Sequence, residues 1–154
     1  AGPTSLVVGP DKAIWVTEFN TDKIARFDVQ AKRFTDEIPV ASQKNGARSG
    51  PGILINGPDG NIWFTELFGN QIARLNVHTK QTHKFSAPSA PSLGETNNPD
   101  AGTADEAQVE TTMNLKPGET LGKTSGPGAL VFSQDGAVWY VSIYSGKVAR
   151  LAVK

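Results

Sequence analysis

Gly57-Pro58-Asp59-Gly60-Asn61-Ile62-Trp63-Phe64-Thr65-Glu66, continued by Gly69-Asn70-Gln71-Ile72-Ala73-Arg74-Leu75-Asn76, decides the fold, because the chain writes it three times. The first copy is Gly9-Pro10-Asp11-Lys12-Ala13-Ile14-Trp15-Val16-Thr17-Glu18, followed by Asp22-Lys23-Ile24-Ala25-Arg26-Phe27-Asp28. The third is Ser133-Gln134-Asp135-Gly136-Ala137-Val138-Trp139-Tyr140-Val141-Ser142, followed by Ser145-Gly146-Lys147-Val148-Ala149-Arg150-Leu151. A Gly-Pro pair precedes each copy (Gly2-Pro3, Gly50-Pro51 and Gly126-Pro127), its proline always 12 residues before the tryptophan. Self-similarity at a fixed period marks a repeat architecture.

The segments within a copy read as short strands. Leu6-Val7-Val8 ends at a Gly-Pro-Asp turn, and Ala13 to Glu18 is rich in β-branched and aromatic residues. Lys23 to Asp28 alternates with period two, and a weaker strand runs from about Lys32 to Ile38. In the second copy the strands fall at 53–55, 61–66, 71–76 and 81–86. Four antiparallel strands in about 48 residues make one blade of a β-propeller, whose repeats run to about 40–50 residues. The fold expectation is therefore all-β: about three four-stranded blades, the last incomplete, forming part of a six- or seven-bladed ring. Blade 1 covers residues 2–49, blade 2 50–86 and blade 3 126–154 within a single partial propeller domain.

Tryptophan and arginine stand 11 residues apart in every copy: Trp15 and Arg26, Trp63 and Arg74, Trp139 and Arg150. A hairpin centred between them sets the two opposite one another, where a guanidinium can lie over an indole. Recurrence in all three copies makes this a blade-building pair rather than a ligand site. Asp11, Asp59 and Asp135 lie in the turn before the tryptophan strand and are expected to serve the turn backbone.

The period breaks between the second and third copies, where residues 87–125 form a polar insertion rich in Ser, Pro, Asn, Asp, Gly and Thr. It is too short and too polar for another blade and reads as a long surface loop, in which Val109 to Leu115 could add an edge strand. Blade 3 reaches Lys154 just after its third strand, so its outer strand is missing from that end. Three blades do not close a ring, which takes about four or more. The expected partner is a second copy closing a six-bladed homodimer, or a companion chain carrying further blades.

Of the 154 residues, 15 are Lys or Arg and 15 are Asp or Glu, so no basic excess exists to form a nucleic-acid footprint. The absence of cysteine removes disulfides, thiolate metal sites and cysteine nucleophiles together. No apolar run reaches the roughly 18 residues of a membrane-spanning helix, and no leader-like segment opens the chain. A soluble protein is expected, with an extracytoplasmic location favoured over a cytosolic one.

At the Trp-Phe-Thr-Glu strand and the following Gly-Asn-Gln-Ile-Ala-Arg, the sequence resembles the streptogramin B lyase (virginiamycin B lyase) family of seven-bladed propellers. The resemblance covers residues 2–38, 50–86 and 126–154. It implies a ligand in the axial channel and a magnesium-assisted elimination that opens a cyclic depsipeptide at its ester, with a histidine base and carboxylates on Mg2+. The family histidine follows the proline that opens certain blades. Here those positions hold Thr4, Gly52 and Gly128, none of which can transfer the proton.

The two histidines, His78 and His83, flank a turn at the blade periphery and read as surface residues. Glu18 and Glu66 recur at one place, with Ser142 in the third copy. Repetition favours a structural role, with a shared divalent-cation site below it. Candidate ligand contacts are Glu18, Glu66, Thr4 and Ser142, and candidate metal ligands Glu18 and Glu66. Two functions stay open: a lyase-like propeller binding a small ligand, catalytic only if the assembled ring supplies a base, and a non-catalytic scaffold for ligand or protein binding.

Overall fold

The computed structural model describes residues 2–40, 48–87, 108–109, 126–143 and 147–151. Described residues form three antiparallel sheets and no helix. The first sheet holds β1 (Pro3–Val8), β2 (Ile14–Glu18), β3 (Lys23–Asp28) and β4 (Arg33–Pro39) in sequence order. The second holds β5 (Pro51–Asn56), β6 (Ile62–Glu66), β7 (Gln71–Leu75) and β8 (Thr82–Ser86), again in order. The third runs β10 (Pro127–Phe132), β11 (Val138–Ser142), β12 (Lys147–Leu151) and then β9 (Gln108–Val109). These are propeller blades, as the repeat predicts.

The third blade's outer place is thus held by chain that precedes it. Gln108 pairs with Ala149 and Val109 with Val148, an antiparallel contact two residues long. An unpaired edge on β12 exposes a row of amides and carbonyls, and pairing satisfies them. The edge strand expected at 109–115 is met at its first residue; residues 110–115 lie outside the described residues.

Each blade opens with the same irregularity. Register shifts between Pro3 and Ser5, Pro51 and Leu54, and Pro127 and Leu130. In the first two blades a threonine on the next strand serves the displaced backbone: Thr17 Oγ1 accepts from Ser5 N at 3.0 Å, and Thr65 Oγ1 from Ile53 N at 3.1 Å. Val141 takes that place in the third. Bulges of this kind bend a strand and re-aim its side chains.

The blades pack face to face through two apolar layers. The first joins Trp15, Ile24 and Val40 of blade 1 to Leu54, Ile62, Phe64, Ala73 and Leu75 of blade 2. The second joins Trp63, Ile72 and Ala87 of blade 2 to Leu130, Val138, Tyr140, Ala149 and Leu151 of blade 3. At both joints a tryptophan face therefore meets the leucine face of the next blade. Strand β5 packs against both β1 and β10, so the first strands converge on the inner side of the array.

Polar groups fix the blades' spacing. Asp22 Oδ1 accepts from Ser49 N at 3.1 Å and Gly50 N at 2.8 Å, and Asn70 Oδ1, one repeat later, accepts from Gly126 N at 3.1 Å. Both residues adopt φ of 53°, the left-handed region that Asp and Asn tolerate better than most. A side chain at the tip of one hairpin thus grips the opening of the following blade.

Candidate functional site

The Asp, Trp and Arg of each copy meet in one hub. Trp15 and Arg26, Trp63 and Arg74, and Trp139 and Arg150 are cross-strand partners. In blade 1 the Trp15 indole N–H donates to Asp11 Oδ1 at 2.9 Å, while Arg26 Nε donates to Asp11 Oδ2 at 2.7 Å. In blade 2, Trp63 donates to Asp59 at 3.1 Å and Arg74 at 3.4 Å. In blade 3, Arg150 donates to Asp135 at 2.9 Å, but Trp139 donates to Ser133 Oγ at 3.0 Å, and Ser133 in turn bonds Asp135.

Burial would raise the Asp11 carboxyl, but the Trp15 N–H and Arg26 outweigh it and hold the group below its ordinary value. Asp59 is lowered in the same way, with Asn61 and Trp63 as donors. Asp135 falls to about 2 through Ser133, Arg150 and the Ala137 amide. The hub is framework: its charges neutralise one another within each blade.

The aromatic stacking is more varied than the repeat suggests. Arg74 lies over Trp63 at 5.7 Å, but over Trp15 it is Lys80 of the neighbouring blade, at 4.6 Å.

One end of the array differs from this framework. There the Gly-Pro openings meet the β2–β3 hairpin and its equivalents: Gly2 O accepts from Phe19 N, Gly50 O from Leu67 N and Gly126 O from Ile143 N, each at 3.0 Å. Phe19 and Phe68 face each other with ring centroids 5.3 Å apart. Arg48 stands 5.4 Å from both rings, tethered by Asp22 at 3.7 Å. Phe68 is 47% exposed, Ile143 50% and the Arg48 side chain 47%. Phe19 is half-buried, and an aromatic pair with one exposed ring and a guanidinium can stack a flat apolar group and donate to a carbonyl or carboxylate. A Cβ on Gly50 would meet Phe68 at 2.7 Å, so the glycine lets this cluster close against the blade opening.

The residues singled out in the sequence lie at the same end, in unlike settings. Thr4 is exposed, and its hydroxyl joins Thr17 Oγ1 at 3.0 Å and Pro51 O at 3.4 Å, tying blade 1 to blade 2. Glu18 is half-buried and accepts from Thr21 Oγ1 at 2.9 Å, closing its own hairpin. Glu66 is fully buried, with Lys84 Nζ 2.9 Å from Oε1. Burial raises the Glu66 carboxyl, and Lys84 opposes the rise. Ser142 is buried beside Pro127. The two glutamates are thus differently engaged, one with a hydroxyl and one with an ammonium. Among the described residues no three acidic or histidine side chains gather where a metal ion could sit. As placed, Glu18 and Glu66 do not fit a Mg2+ centre.

The bulge positions equivalent to the family's histidine are Thr4, Gly52 and Gly128. A Cβ on Gly52 would lie 2.9 Å from Thr65 Oγ1, the atom that holds the bulge, so a larger side chain there must displace that bond. At Gly128 the obstacle is Ile143, 2.8 Å away. His83 is exposed on β8 with its ring 4.6 Å from Phe85, and His78 is exposed in the preceding turn.

Sequence reasoning missed Arg48, Phe19 and Phe68, and the acceptor role of the turn aspartates. For the aspartates a signal existed: each lies two residues after the turn's first residue and four before its tryptophan. Arg48 lies in the unrepeated crossover and carried none.

No curated protein matches the chain. Among solved structures it is similar to a catalytically inactive histidine-to-alanine variant of virginiamycin B lyase from Staphylococcus aureus with quinupristin. There it shows 22% identity and a TM-score of 0.61, over 98% of this chain and 41% of that one. A second virginiamycin B lyase structure from Staphylococcus aureus matches at 23% identity and a TM-score of 0.53, covering 98% and 55%. A streptogramin B lyase structure matches at 23% identity and a TM-score of 0.52, covering 99% and 51%. The chain spans about half the length of these relatives. A family model described as the virginiamycin B lyase family matches residues 1–104, two thirds of the sequence, and with the propeller blades built from its repeats the chain belongs to that family.

Proposed function

We propose that this propeller binds a small, partly apolar ligand at the end of the array marked by Phe19, Phe68, Arg48 and Ile143, without itself supplying lyase chemistry. The observation that carries the reading is the Phe19–Phe68 pair under Arg48, with Phe68 exposed and Phe19 half-buried, set at the opening of the blades while Trp15, Trp63 and Phe64 are spent on packing. Stacking on the rings and donation from Arg48 suit a cyclic peptide bearing aromatic and carbonyl groups, and one solved relative holds quinupristin. Thr4 and Glu18 supply further hydrogen-bonding groups at the rim.

Elimination needs a base within reach of the proton to be removed. Thr4, Gly52 and Gly128 offer none, and Glu66 is occupied by Lys84. The second reading, a magnesium-assisted carbon–oxygen lyase, is favoured by family membership and requires a base from outside the described blades. Calorimetric titration of quinupristin, with product analysis in Mg2+ and in chelator, separates the readings. We expect binding that chelator leaves unchanged, an intact ligand, and loss of affinity in Arg48→Ala and Phe68→Ala. Ring-opened product that disappears with chelator would establish the lyase instead, and no binding would overturn both.

A further inference from the structure

Glu18 and Glu66 hold the same place in their copies, yet each is closed by a different kind of partner, and the exchange is written in the sequence. In blade 1 the residue three after the glutamate is Thr21, whose hydroxyl donates to Glu18 Oε2 at 2.9 Å. In blade 2 that residue is Gly69, which brings no donor side chain; a Cβ there would stand 3.2 Å from Glu66 Oε2. The outer strands change in a complementary way: β4 carries acidic Asp36 and Glu37 in the region where β8 carries Lys84. Blade 2 thus replaces a hydroxyl from the hairpin with an ammonium from its outer strand.

That ammonium makes the contacts of a bound metal ion. Lys84 Nζ lies 2.9 Å from Glu66 Oε1 and 2.8 Å from Val40 O, a carboxylate and a carbonyl, the oxygen types that hard divalent cations take. Val40 follows β4 at the end of blade 1, and its own amide donates to Asp22 O at 2.9 Å. Ser49, completely buried like Glu66, sets its hydroxyl beside the carboxyl, while its carbonyl accepts from Phe68 N and Gly69 N, each at 3.0 Å. We propose that the Lys84 ammonium is the built-in cation of the joint between blades 1 and 2, tying the end of blade 1 to the Glu66 carboxylate and closing that carboxylate to Mg2+.

The disagreement between Glu66 and a Mg2+ centre then has a physical cause. A carboxylate that the family resemblance places on a metal is here completely buried, and the cation it meets belongs to the same chain. A tethered ammonium needs no free ion to fill its place, so the strength of this joint does not follow the metal concentration.

Thermal melts at mildly alkaline pH test this. Mg2+ or chelator should move the melt of the unmodified chain no more than that of Glu66→Gln. Lys84→Ala leaves a buried carboxylate without its counter-charge and should lower the Tm by about 10 °C. Millimolar Ca2+ should return part of that loss, beyond any shift in the unmodified chain, because Glu66 Oε1 and Val40 O then face the ion instead of the ammonium. Lys84→Ala combined with Glu66→Gln should show a smaller loss and no such response. Should Lys84→Ala not fold, acylation read by mass spectrometry carries the test: Lys84 should react severalfold more slowly than the exposed Lys12 in the unmodified chain, and that protection should fall in Glu66→Gln. A Mg2+ shift that Glu66→Gln abolishes, a Lys84→Ala chain as stable as its parent or unmoved by Ca2+, or a Lys84 acylated as fast as Lys12 would each overturn the proposal.

Discussion

Blades 1 and 2 share a framework nearly residue for residue, yet blade 2 is buried on both faces and blade 1 on one. Strand β6 is buried at all five positions, whereas β2, with four of the same five residue types or close relatives, alternates between buried and half-buried. Burial here belongs to the neighbour as much as to the sequence. A period-two pattern states which residues can face a core, and only an adjacent blade makes that core.

Truncating the central tryptophans is the severest way to break this comparison. Trp63→Ala removes a ring stacked on Phe85 at 5.2 Å and met edge-on by Phe132, and should cost about 3–5 kcal/mol. Trp139→Ala, partly uncovered, should cost clearly less in the same urea titration. Equal costs would show that the third blade is packed as tightly as the second.

Leucine truncation sharpens the point. Leu54→Ala should lose about 2–5 kcal/mol, while Leu6→Ala should lose under about 0.5 kcal/mol at concentrations too low for association.

The hairpin grips differ more modestly. Asp22→Ala orphans two amides and should destabilise by about 1–3 kcal/mol, and Asn70→Ala, which removes the acceptor of Gly126 N and a donor to Ala87 O, by less, because a neutral amide makes weaker bonds than a carboxylate. Chemical denaturation of the two variants side by side reads the difference.

Acid acts on all three blades through the turn aspartates. Asp11, Asp59 and Asp135 have folded-state values below the ordinary 3.8, so their contribution is present above that pH and is lost as pH falls through those lowered values, which for Asp135 is about 2. Glu66 has the opposite sign: its raised value favours the protonated carboxyl, so its contribution is fullest below 4.5 and declines as pH rises through the folded value. Thermal melts of Asp59→Asn should therefore show a shallower loss of stability below pH 4 than the parent chain.

The repeat made the blades, their turns and the Trp–Arg register legible, because those features depend on residues within one copy. The contacts between copies were not. Lys80 reaches Trp15 across a blade boundary, and Glu66 meets Lys84, whose counterpart in blade 1 is Asp36. Two glutamates that look identical in the repeat therefore have different chemistry, which their own strands do not record. The Phe19, Phe68 and Arg48 cluster escaped for the same reason: Phe68 has Asn20 as its counterpart, and Arg48 lies between copies.

The hairpin grip carries a thermal consequence. Asp22 and Asn70 secure the next blade with hydrogen bonds, but the third copy has Gly146 at that place and offers no side chain to do so. A blade set against the tryptophan face of blade 3 is then held chiefly by apolar contact, whose strength fades on cooling while hydrogen-bonded joints keep theirs. The joints gripped by Asp22 and Asn70 should outlast refrigeration better than any joint made on the tryptophan face of blade 3.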